Sequence, residues 1–270
     1  MGQDVASGVE PRADRETVMR NGMRCAPGMV RHHARQRFVS MIAGPIWVGF
    51  SVLVMRFWFH YRIADVKRVR ATYRRIRAES KAPLLICANH LTMVDSFLIA
   101  WALGSGGYWL SHPDELPWNT PEQTNFGRTR LQRFLIFVAK CIPITRGGAR
   151  EDVGEVLERV KYLLARGETA CIFPEAGRSR SGRVEENAAG WGVGRIVGAV
   201  PGCRVLCVYM RGRAQSSFGV VPATGDTLDV ELACIEPKSD ARGVRRSRDL
   251  AAQIVRQLIR MEEEYFDARK

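Results

Sequence analysis

From residue 83 onward, short apolar runs alternate with longer amphipathic segments. Six runs have the length and composition of strands: residues 83–88, 108–111, 141–145, 169–173, 204–210 and 227–235. Five segments have apolar residues at helical spacing: residues 94–103, 128–139, 151–165, 191–200 and 249–266. Gly167 follows the third of these as a stop signal. The alternation predicts an α/β fold, with a mixed, largely central sheet flanked by helices.

The N-terminal part of the chain has a different pattern. Residues 38–55 form an uncharged apolar run, and as a helix this run would extend about 27 Å, close to the ~30 Å of bilayer hydrocarbon. Gly44-Pro45 interrupts the run, and arginines lie on both sides of it. Because proline bends helices and basic residues favour the cytoplasmic side, we predict a membrane-binding helical hairpin that enters one leaflet and returns. A single span and a buried hairpin of a soluble protein are the alternatives.

These patterns divide the chain into three predicted parts. Residues 1–30 are polar and aperiodic, which is typical of a flexible tail. Residues 31–80 form the membrane-associated helical segment, and residues 81–270 form the α/β domain. Lysines and arginines are frequent in residues 62–77, and each contributes about 1 kcal/mol at an anionic lipid surface. We therefore expect this basic flank to lie on headgroups, although a solvated helix face would have the same composition.

Charge and cysteine content narrow the class of partner and compartment. The 270 residues carry a formal net charge of +13, which favours a nucleic acid or an anionic membrane as partner. The apolar run favours the membrane, and we find no nucleic-acid-binding motif. Seven cysteines form no CxxC pair, which indicates a reducing compartment without a disulfide framework. The histidines and cysteines have no metal-site spacing, so no metal is predicted.

Candidate chemistry is concentrated in the stretch CANHLTMVD, residues 87–95. His90 and Asp95 directly follow the predicted strand 83–88. Ligand crevices of open α/β sheets lie at the carboxyl ends of strands, so this pair stands where chemistry is plausible. A histidine and an aspartate at this spacing can also be an ordinary hydrogen-bonding pair that caps a helix.

Three short motifs in the same order resemble one known family. NHLTMVD, with His90 and Asp95 in an H-x4-D arrangement, resembles the first motif of the glycerolphosphate and lysophosphatidic acid acyltransferase superfamily. CIPITR, residues 141–146, resembles its second motif, and FPEAGRS, residues 173–179, resembles its third. The resemblance implies a 1-acylglycerol-3-phosphate O-acyltransferase-like enzyme of phospholipid biosynthesis. Such an enzyme moves a fatty acyl group from an acyl thioester to the hydroxyl of a lyso-lipid.

The resemblance also implies roles for individual residues. His90 would act as general base on the acceptor hydroxyl, and Asp95 would hold its ring and stabilise the imidazolium. Four residues are expected to bind the acceptor: Arg146, Glu175, Gly177 and Arg178. The thioester, from acyl-CoA or acyl carrier protein, brings its own leaving group, so no cofactor is expected. The partners would be a lipid bilayer, a lyso-lipid and the thioester donor, at the cytoplasmic face of a membrane such as the bacterial inner membrane.

Two departures from the family pattern leave the acceptor open. Ala176-Gly177 stands where the family usually has Gly-Thr, and Cys207 stands where its fourth motif has a proline. A non-phosphate acceptor, such as a lyso-aminolipid of the lyso-ornithine type, is therefore a competing prediction. A serine hydrolase is disfavoured because the segment GRSRS, residues 177–181, lacks the final glycine of a nucleophile elbow. A non-catalytic membrane-binding protein would leave the strand-end position of His90 unexplained.

Overall fold

The structure is a computed structural model that describes residues 18–20, 23–145, 147–175, 177–186 and 189–270. Its strands are β1 (Val18–Arg20), β2 (Met23–Cys25), β3 (Arg62–Ile63), β4 (Leu84–Ala88), β5 (Trp118–Asn119), β6 (Ala170–Ile172), β7 (Arg204–Gly212) and β8 (Thr227–Ile235). Its helices are α1 (Pro27–Leu53), α2 (Val66–Glu79), α3 (Asp95–Leu103), α4 (Gly106–Ser111), α5 (Gln123–Phe126), α6 (Arg130–Val138), α7 (Arg150–Ala165), α8 (Trp191–Ala199) and α9 (Gly243–Asp267). A π-helical turn, Val54–Trp58, extends α1.

Six strands form one mixed sheet in the order β3-β8-β7-β4-β6-β5. Neighbouring strands are parallel except for β7 and β8, which pair antiparallel. Every residue of β4 is buried, as expected for an internal strand covered on both faces. Its side chains alternate between two cores: Leu85 and Cys87 face the core under α7, α8 and α9, whereas Ile86 and Ala88 face the core under α2 and α3. The predicted mixed α/β fold is confirmed.

Most predicted elements are present, but two apolar runs were misassigned. The predicted strand at residues 108–111 is wrong, because these residues belong to helix α4. The Ser105 hydroxyl accepts a hydrogen bond from the Tyr108 N–H and caps this helix. Residues 141–145 form only isolated bridges, from Cys141 to Asn119 of β5 and from Ile144 to Glu122. Pro121 lies between these two partners and has no N–H to donate to the Ile142 carbonyl, which interrupts the ladder.

The predicted hairpin in the N-terminal segment is replaced by one helix. α1 runs without a break through Pro45, whose missing N–H removes one hydrogen bond, to the Met41 carbonyl. Its inward residues are polar or small in four of five cases: His33, Gln36, Ser40, Gly44 and Val48. Its outward residues, with Phe57 of the π-helical turn, are large and each more than half exposed: Phe38, Ile42, Ile46, Phe50, Leu53 and Phe57. The helix thus turns its polar side to the protein and its apolar side outward.

Polar contacts fix α1 to the α/β domain. The Gln36 amide donates to the carbonyls of Phe137 and Cys141, at 2.9 and 2.8 Å. The His33 Nε2 atom lies 2.9 Å from the Glu168 Oε1 atom, and Trp118 Nε1 donates to Glu168 Oε2 at 2.8 Å. Burial alone would raise the pKa of Glu168, but these partners and nearby positive charges hold it at about 2. The buried carboxylate is therefore charged and anchors the first half of α1.

Helix α2 carries the basic flank on an amphipathic scaffold. Val69, Tyr73 and Ile76 are buried in the core on the α2 side of the sheet. The lysine and arginines of this helix are partly or fully exposed, so most of their charge faces outward. β3 precedes this helix and pairs with β8 in the main sheet. The division of the chain at residue 80 stays a prediction.

Candidate active site

The site begins where the chain leaves the central strand β4. The Asn89 side chain donates to the Met210 carbonyl at 3.0 Å and accepts from the Met210 N–H at 2.8 Å. The Asn89 amide therefore satisfies both backbone groups of Met210, just beyond Ala88 and Val208, the last paired residues of β4 and β7. His90 follows directly and is thereby set at the carboxyl end of the sheet.

The Asp95 carboxylate organises the loop around His90. Its Oδ2 atom lies 3.0 Å from His90 Nδ1 and accepts the backbone N–H groups of Leu91 and Thr92, both at 2.7 Å. Its Oδ1 atom accepts the Thr92 hydroxyl. Asp95 is buried in the first turn of α3, where the helix dipole also favours a negative charge. The predicted pair is therefore in contact. Asp95 both holds the His90 ring and accepts the backbone N–H groups of the loop.

The third motif holds His90 from the opposite side. The His90 N–H donates to Glu175 Oε1 at 3.1 Å, and the His90 carbonyl accepts from the Ser179 N–H at 2.9 Å. The Phe173 ring stacks on the imidazole with a centroid distance of 4.0 Å and an interplanar angle of 18°. The structure thus brings the first and third motifs together at one residue.

Glu175 lies beneath the loop and outside the lining of the cleft described below. It is 6% exposed, and its Oε2 atom has no hydrogen-bond partner among the described residues. Burial raises the pKa of Glu175 to about 7, helped by the charges of Glu262 and Glu185 and opposed by the His90 N–H. The geometry supports contact with the His90 backbone, and an acceptor-binding role for Glu175 stays a prediction.

Two of the predicted acceptor residues, Gly177 and Arg178, line the same cleft as His90. The Arg178 guanidinium donates to the Gly219 carbonyl at 3.0 Å and lies over the Phe218 ring, 5.5 Å from its centroid. No other hydrogen bond of this guanidinium is formed with the described residues. Arg146 lies outside the described residues, so its predicted role is not tested.

The loop between β7 and β8 closes the site and was missed by the sequence analysis. The Gly219 N–H donates to the Leu91 carbonyl at 2.9 Å, and the Met93 N–H donates to the Val220 carbonyl at 3.0 Å. Phe218 of this loop also lines the cleft. The only sequence signal was an apolar stretch, Phe218-Gly219-Val220-Val221, within an otherwise polar connection.

An apolar cleft of about 690 Å³ opens beside His90. This volume is within the ~300–1,000 Å³ typical of small-molecule sites. Its walls come from α1, α6, the segment after β5 and the His90 loop, and representative lining residues are Trp47, Phe50, Leu135, Ile136, Phe97 and Phe173. His90 is 9% exposed and lines this cleft, so a reacting group approaches the imidazole through it. The shape and lining suit a long apolar group.

The site supplies acid–base chemistry from its own side chains. Because Nδ1 of His90 is bound to the Asp95 carboxylate, the Nε2 atom is the one left to accept a proton from a bound hydroxyl. Within the described ranges, no group of three or more His, Cys, Asp or Glu side chains is arranged to hold a metal ion. A buried histidine–carboxylate pair beside an apolar cleft can take a proton from the hydroxyl of a bound ligand that carries a hydrocarbon chain.

Comparison with known families makes this class specific. A family model described as Acyltransferase matches residues 67–211, more than half of the chain. The chain belongs to the glycerolphosphate/lysophosphatidic acid acyltransferase family. No curated protein matches the chain at a significant level. The family membership expected from the three motifs is therefore confirmed, and an acyl donor and an acceptor are implied as substrates.

Proposed function

We propose that this protein is a membrane-bound O-acyltransferase that moves a fatty acyl group from an acyl thioester to the hydroxyl of a lyso-lipid. The observation that carries the proposal is the opening of the His90–Asp95 pair into the apolar cleft of about 690 Å³. The outward-facing apolar helix α1 forms one wall of that cleft. A hydrocarbon chain and a hydroxyl can therefore meet at the imidazole.

The reaction follows from the contacts of His90. The acceptor oxygen attacks the thioester carbonyl carbon as its proton passes to Nε2, and the Asp95 carboxylate stabilises the imidazolium. The tetrahedral intermediate then expels the thiolate, which takes the proton back from the imidazolium. The products are an ester lipid and a free thiol, from coenzyme A or acyl carrier protein. No proton is left on the enzyme, and the thioester is the only activated group required.

The basic side chains of the cleft favour an anionic acceptor. Arg178 and Arg180 both line it, and a guanidinium offers a planar fork of donors to phosphate or carboxylate. We propose a lysophosphatidate-like acceptor, with Arg146 as a further ligand. Because a carboxylate fits the same fork, a lyso-aminolipid of the lyso-ornithine type is the alternative acceptor.

The membrane part of the proposal rests on two adjacent helices. The helix Pro27–Trp58 is long and apolar enough to cross a membrane, which alone is a weak indication of membrane association. α6 packs against α1 and adds three apolar side chains, each more than half exposed: Leu131, Phe134 and Leu135. Because the polar side of α1 is bound along the domain, we place α1 in the plane of the membrane surface, with its apolar side in lipid. The exposed arginines favour the cytoplasmic face.

Acyl transfer by the purified protein tests this function. Acyl-CoA and acyl carrier protein thioesters are offered with lysophosphatidate, lyso-ornithine lipid and other lyso-lipids in mixed micelles. We expect His90→Ala to lower turnover by about 10²–10⁴, the usual contribution of a general base. His112→Ala is the matched control, because His112 is an exposed histidine outside the cleft lining and should keep full activity.

The three outcomes have different meanings. His90-dependent transfer to lysophosphatidate supports the proposal as stated. His90-dependent transfer to lyso-ornithine lipid alone keeps the mechanism and replaces the acceptor. Transfer that is equal in the parent and in His90→Ala, or no transfer to any acceptor, contradicts the proposed mechanism.

A further inference from the structure

A second cavity lies where the π-helical turn after α1 leads into β3. Its volume is about 540 Å³. Three arginines and three aromatic residues characterise its lining: Arg56, Arg62, Arg70, Phe57, Tyr61 and Trp101. None of its lining residues belongs to the cleft that contains His90. We call this cavity the arginine pocket.

The arginines of this pocket have no anionic partner within the described part of the chain. Neither Arg56, Arg62 nor Arg70 forms an ion pair there, whereas Arg68 on the same surface pairs with two carboxylates. Among the described residues that line the pocket, none is acidic. Three unpaired guanidinium groups around one concavity form a site for an anion.

Arg70 has the most specific geometry. Its Nη2 atom donates to the Trp101 carbonyl at 2.9 Å, which fixes the direction of the guanidinium. Its Nε atom is buried and has no hydrogen-bond partner among the described residues. Burial also lowers the pKa of Arg70, because the charge is partly removed from water without compensation. A phosphate in the pocket would supply the missing charge.

The position of the pocket indicates where the anion comes from. Phe57 lines the pocket and also belongs to the outward apolar side of α1, and the adjacent Trp58 is 77% exposed. Exposed aromatic rings beside arginines are typical of the boundary between hydrocarbon and headgroups. The chain turns tightly there, since His60 and Asp65 on either side of β3 both have left-handed backbone angles, φ 54° and 43°. A ligand with a phosphate and a hydrocarbon tail could contact the arginines with its phosphate and the exposed aromatic rings with its tail.

We propose that the arginine pocket binds the phosphate of an anionic phospholipid, whose acyl chains lie against Phe57, Trp58 and the outward side of α1. The bound lipid is not the substrate, because the pocket is separate from His90. Its role is to anchor the enzyme and to set its orientation on an anionic membrane. This site goes beyond the proposed acyl transfer and does not depend on it.

Vesicle flotation of the full chain tests the proposal. Vesicles contain phosphatidylcholine alone, or phosphatidylcholine and phosphatidylglycerol in equal parts. The variant Arg56→Gln/Arg62→Gln/Arg70→Gln removes the pocket charges, and we expect its partitioning onto the anionic vesicles to fall more than about tenfold, at roughly fivefold per arginine. The matched control removes the same charge at the start of α9, where three exposed arginines, one of them the residue before the helix, form no ion pair in the described structure: Arg242→Gln, Arg245→Gln and Arg246→Gln. This control should change partitioning by less than about threefold.

A charge-conserving variant separates a defined pocket from diffuse attraction. Arg62→Lys/Arg70→Lys keeps the charge but loses the planar donor fork, so it should weaken binding to anionic vesicles by about threefold or more. Equal binding by this variant and the parent, or equal losses in the pocket and α9 variants, would overturn the proposal. Soluble glycerol phosphate should not displace the protein from vesicles, and displacement would assign the pocket to a free phosphate instead.

Folding of the variants needs one safeguard, because Arg70 also bonds the Trp101 carbonyl. Arg56→Gln/Arg62→Gln alters only exposed side chains and leaves that bond in place. If the triple variant melts early in circular dichroism, the double variant should still show a loss of several-fold on anionic vesicles. No loss in a folded double variant would contradict the pocket.

Discussion

Replacing Asp95 by asparagine separates the electrostatic role of this residue from its role in folding the loop. An asparagine can place its amide oxygen where Oδ2 lies and keep the N–H bonds from Leu91 and Thr92. Its NH₂ group then faces the Thr92 hydroxyl, which can accept as well as donate. The side-chain volume is unchanged, so the loop should keep its shape while the negative charge beside His90 is lost.

The magnitude follows from what the carboxylate does for the imidazole. In the proposed reaction the His90 ring becomes positive, and Asp95 is the carboxylate bonded to it, at 3.0 Å. In the serine-protease triad, replacing the aspartate by asparagine lowers turnover by up to about 10⁴, because the histidine loses both its charged partner and the group that holds its correct tautomer. We therefore expect Asp95→Asn to lower kcat by about 10³–10⁴ and to reduce the free energy of unfolding by about 1 kcal/mol, the value of an ordinary hydrogen bond.

Asp95→Ala should behave differently. It leaves the buried N–H groups of Leu91 and Thr92 without their acceptor, and each unsatisfied group costs about 1–3 kcal/mol. The expected loss of stability is about 2–6 kcal/mol, together with the loss of activity. The two variants should thus be equally inactive but clearly different in stability.

Acyl transfer with the thioester in excess gives kcat, and denaturant unfolding in the same detergent gives the free energy of unfolding. Asp95→Asn should unfold close to the parent, which shows that its low activity does not come from misfolding. An Asp95→Asn protein with more than about a tenth of the parent kcat would refute the assigned role of the carboxylate, since loss of the carboxylate as charged partner and tautomer-holding group should cost about 10³ or more.

Three further changes follow from other parts of the structure. Glu175→Gln should be increasingly more stable than the parent from about pH 5 to pH 8, by up to about 3 kcal/mol in urea unfolding. The folded parent keeps a proton on Glu175 up to a pKa of about 7, whereas the unfolded chain releases it near 4.5, so the carboxyl group weakens the fold as pH rises. Gly194→Ala should lower stability by about 3 kcal/mol in the same assay, because its Cβ would collide with the Ser247 carbonyl of α9. Ile42→Ser/Ile46→Ser should weaken flotation with neutral vesicles at least about tenfold, because each exposed isoleucine contributes about 1.5–3 kcal/mol when buried in lipid.

Two of these changes have a control variant on the same kind of element. Gly192→Ala, two positions from Gly194 in α8, meets only Leu157 at 3.4 Å and should change stability by less than about 1 kcal/mol. Val244→Ser alters an exposed apolar residue of α9 and should leave flotation unchanged. A pH-independent difference for Glu175→Gln would show that this carboxyl group does not hold its proton in the fold.

The sequence predicted the parts of the fold and site that depend on neighbouring residues. Strands β4, β6, β7 and β8 and five long helical segments were found because their apolar spacing is local. The predicted contact of His90 with Asp95 is present, since only the six residues 89–94 separate the end of β4 from the start of α3. Arg178 and Gly177 reach the same cleft because the third motif follows the adjacent parallel strand β6.

Contacts between distant parts of the chain were not predictable from local pattern. Hydropathy showed that residues 38–55 are apolar, but not that the inward stripe of the same helix is polar. His33 of that stripe faces inward because it contacts Glu168, which is 135 residues away in the chain. The helix at Tyr108 was mistaken for a strand because an apolar run of four residues does not distinguish the two, and only the cap at Ser105 does. The contact of Arg178 with Gly219 likewise depends on how β7 and β8 return to the site.

Helix α1 has a polar side against the protein and an exposed apolar side, and the proposed binding of the apolar side to lipid has a thermodynamic consequence. The polar side of α1 contacts the α/β domain through His33, Gln36 and Ser40. Lipid could therefore bind the opposite, apolar side of the helix without breaking a contact inside the protein. Only the folded chain holds those apolar side chains in one continuous surface. In the proposed membrane-bound state, lipid binds the native state in preference to the unfolded state, and mass action adds to the stability of the native state. The bilayer acts as a ligand of the fold, and the thermal midpoint of the protein should rise with the concentration of vesicles.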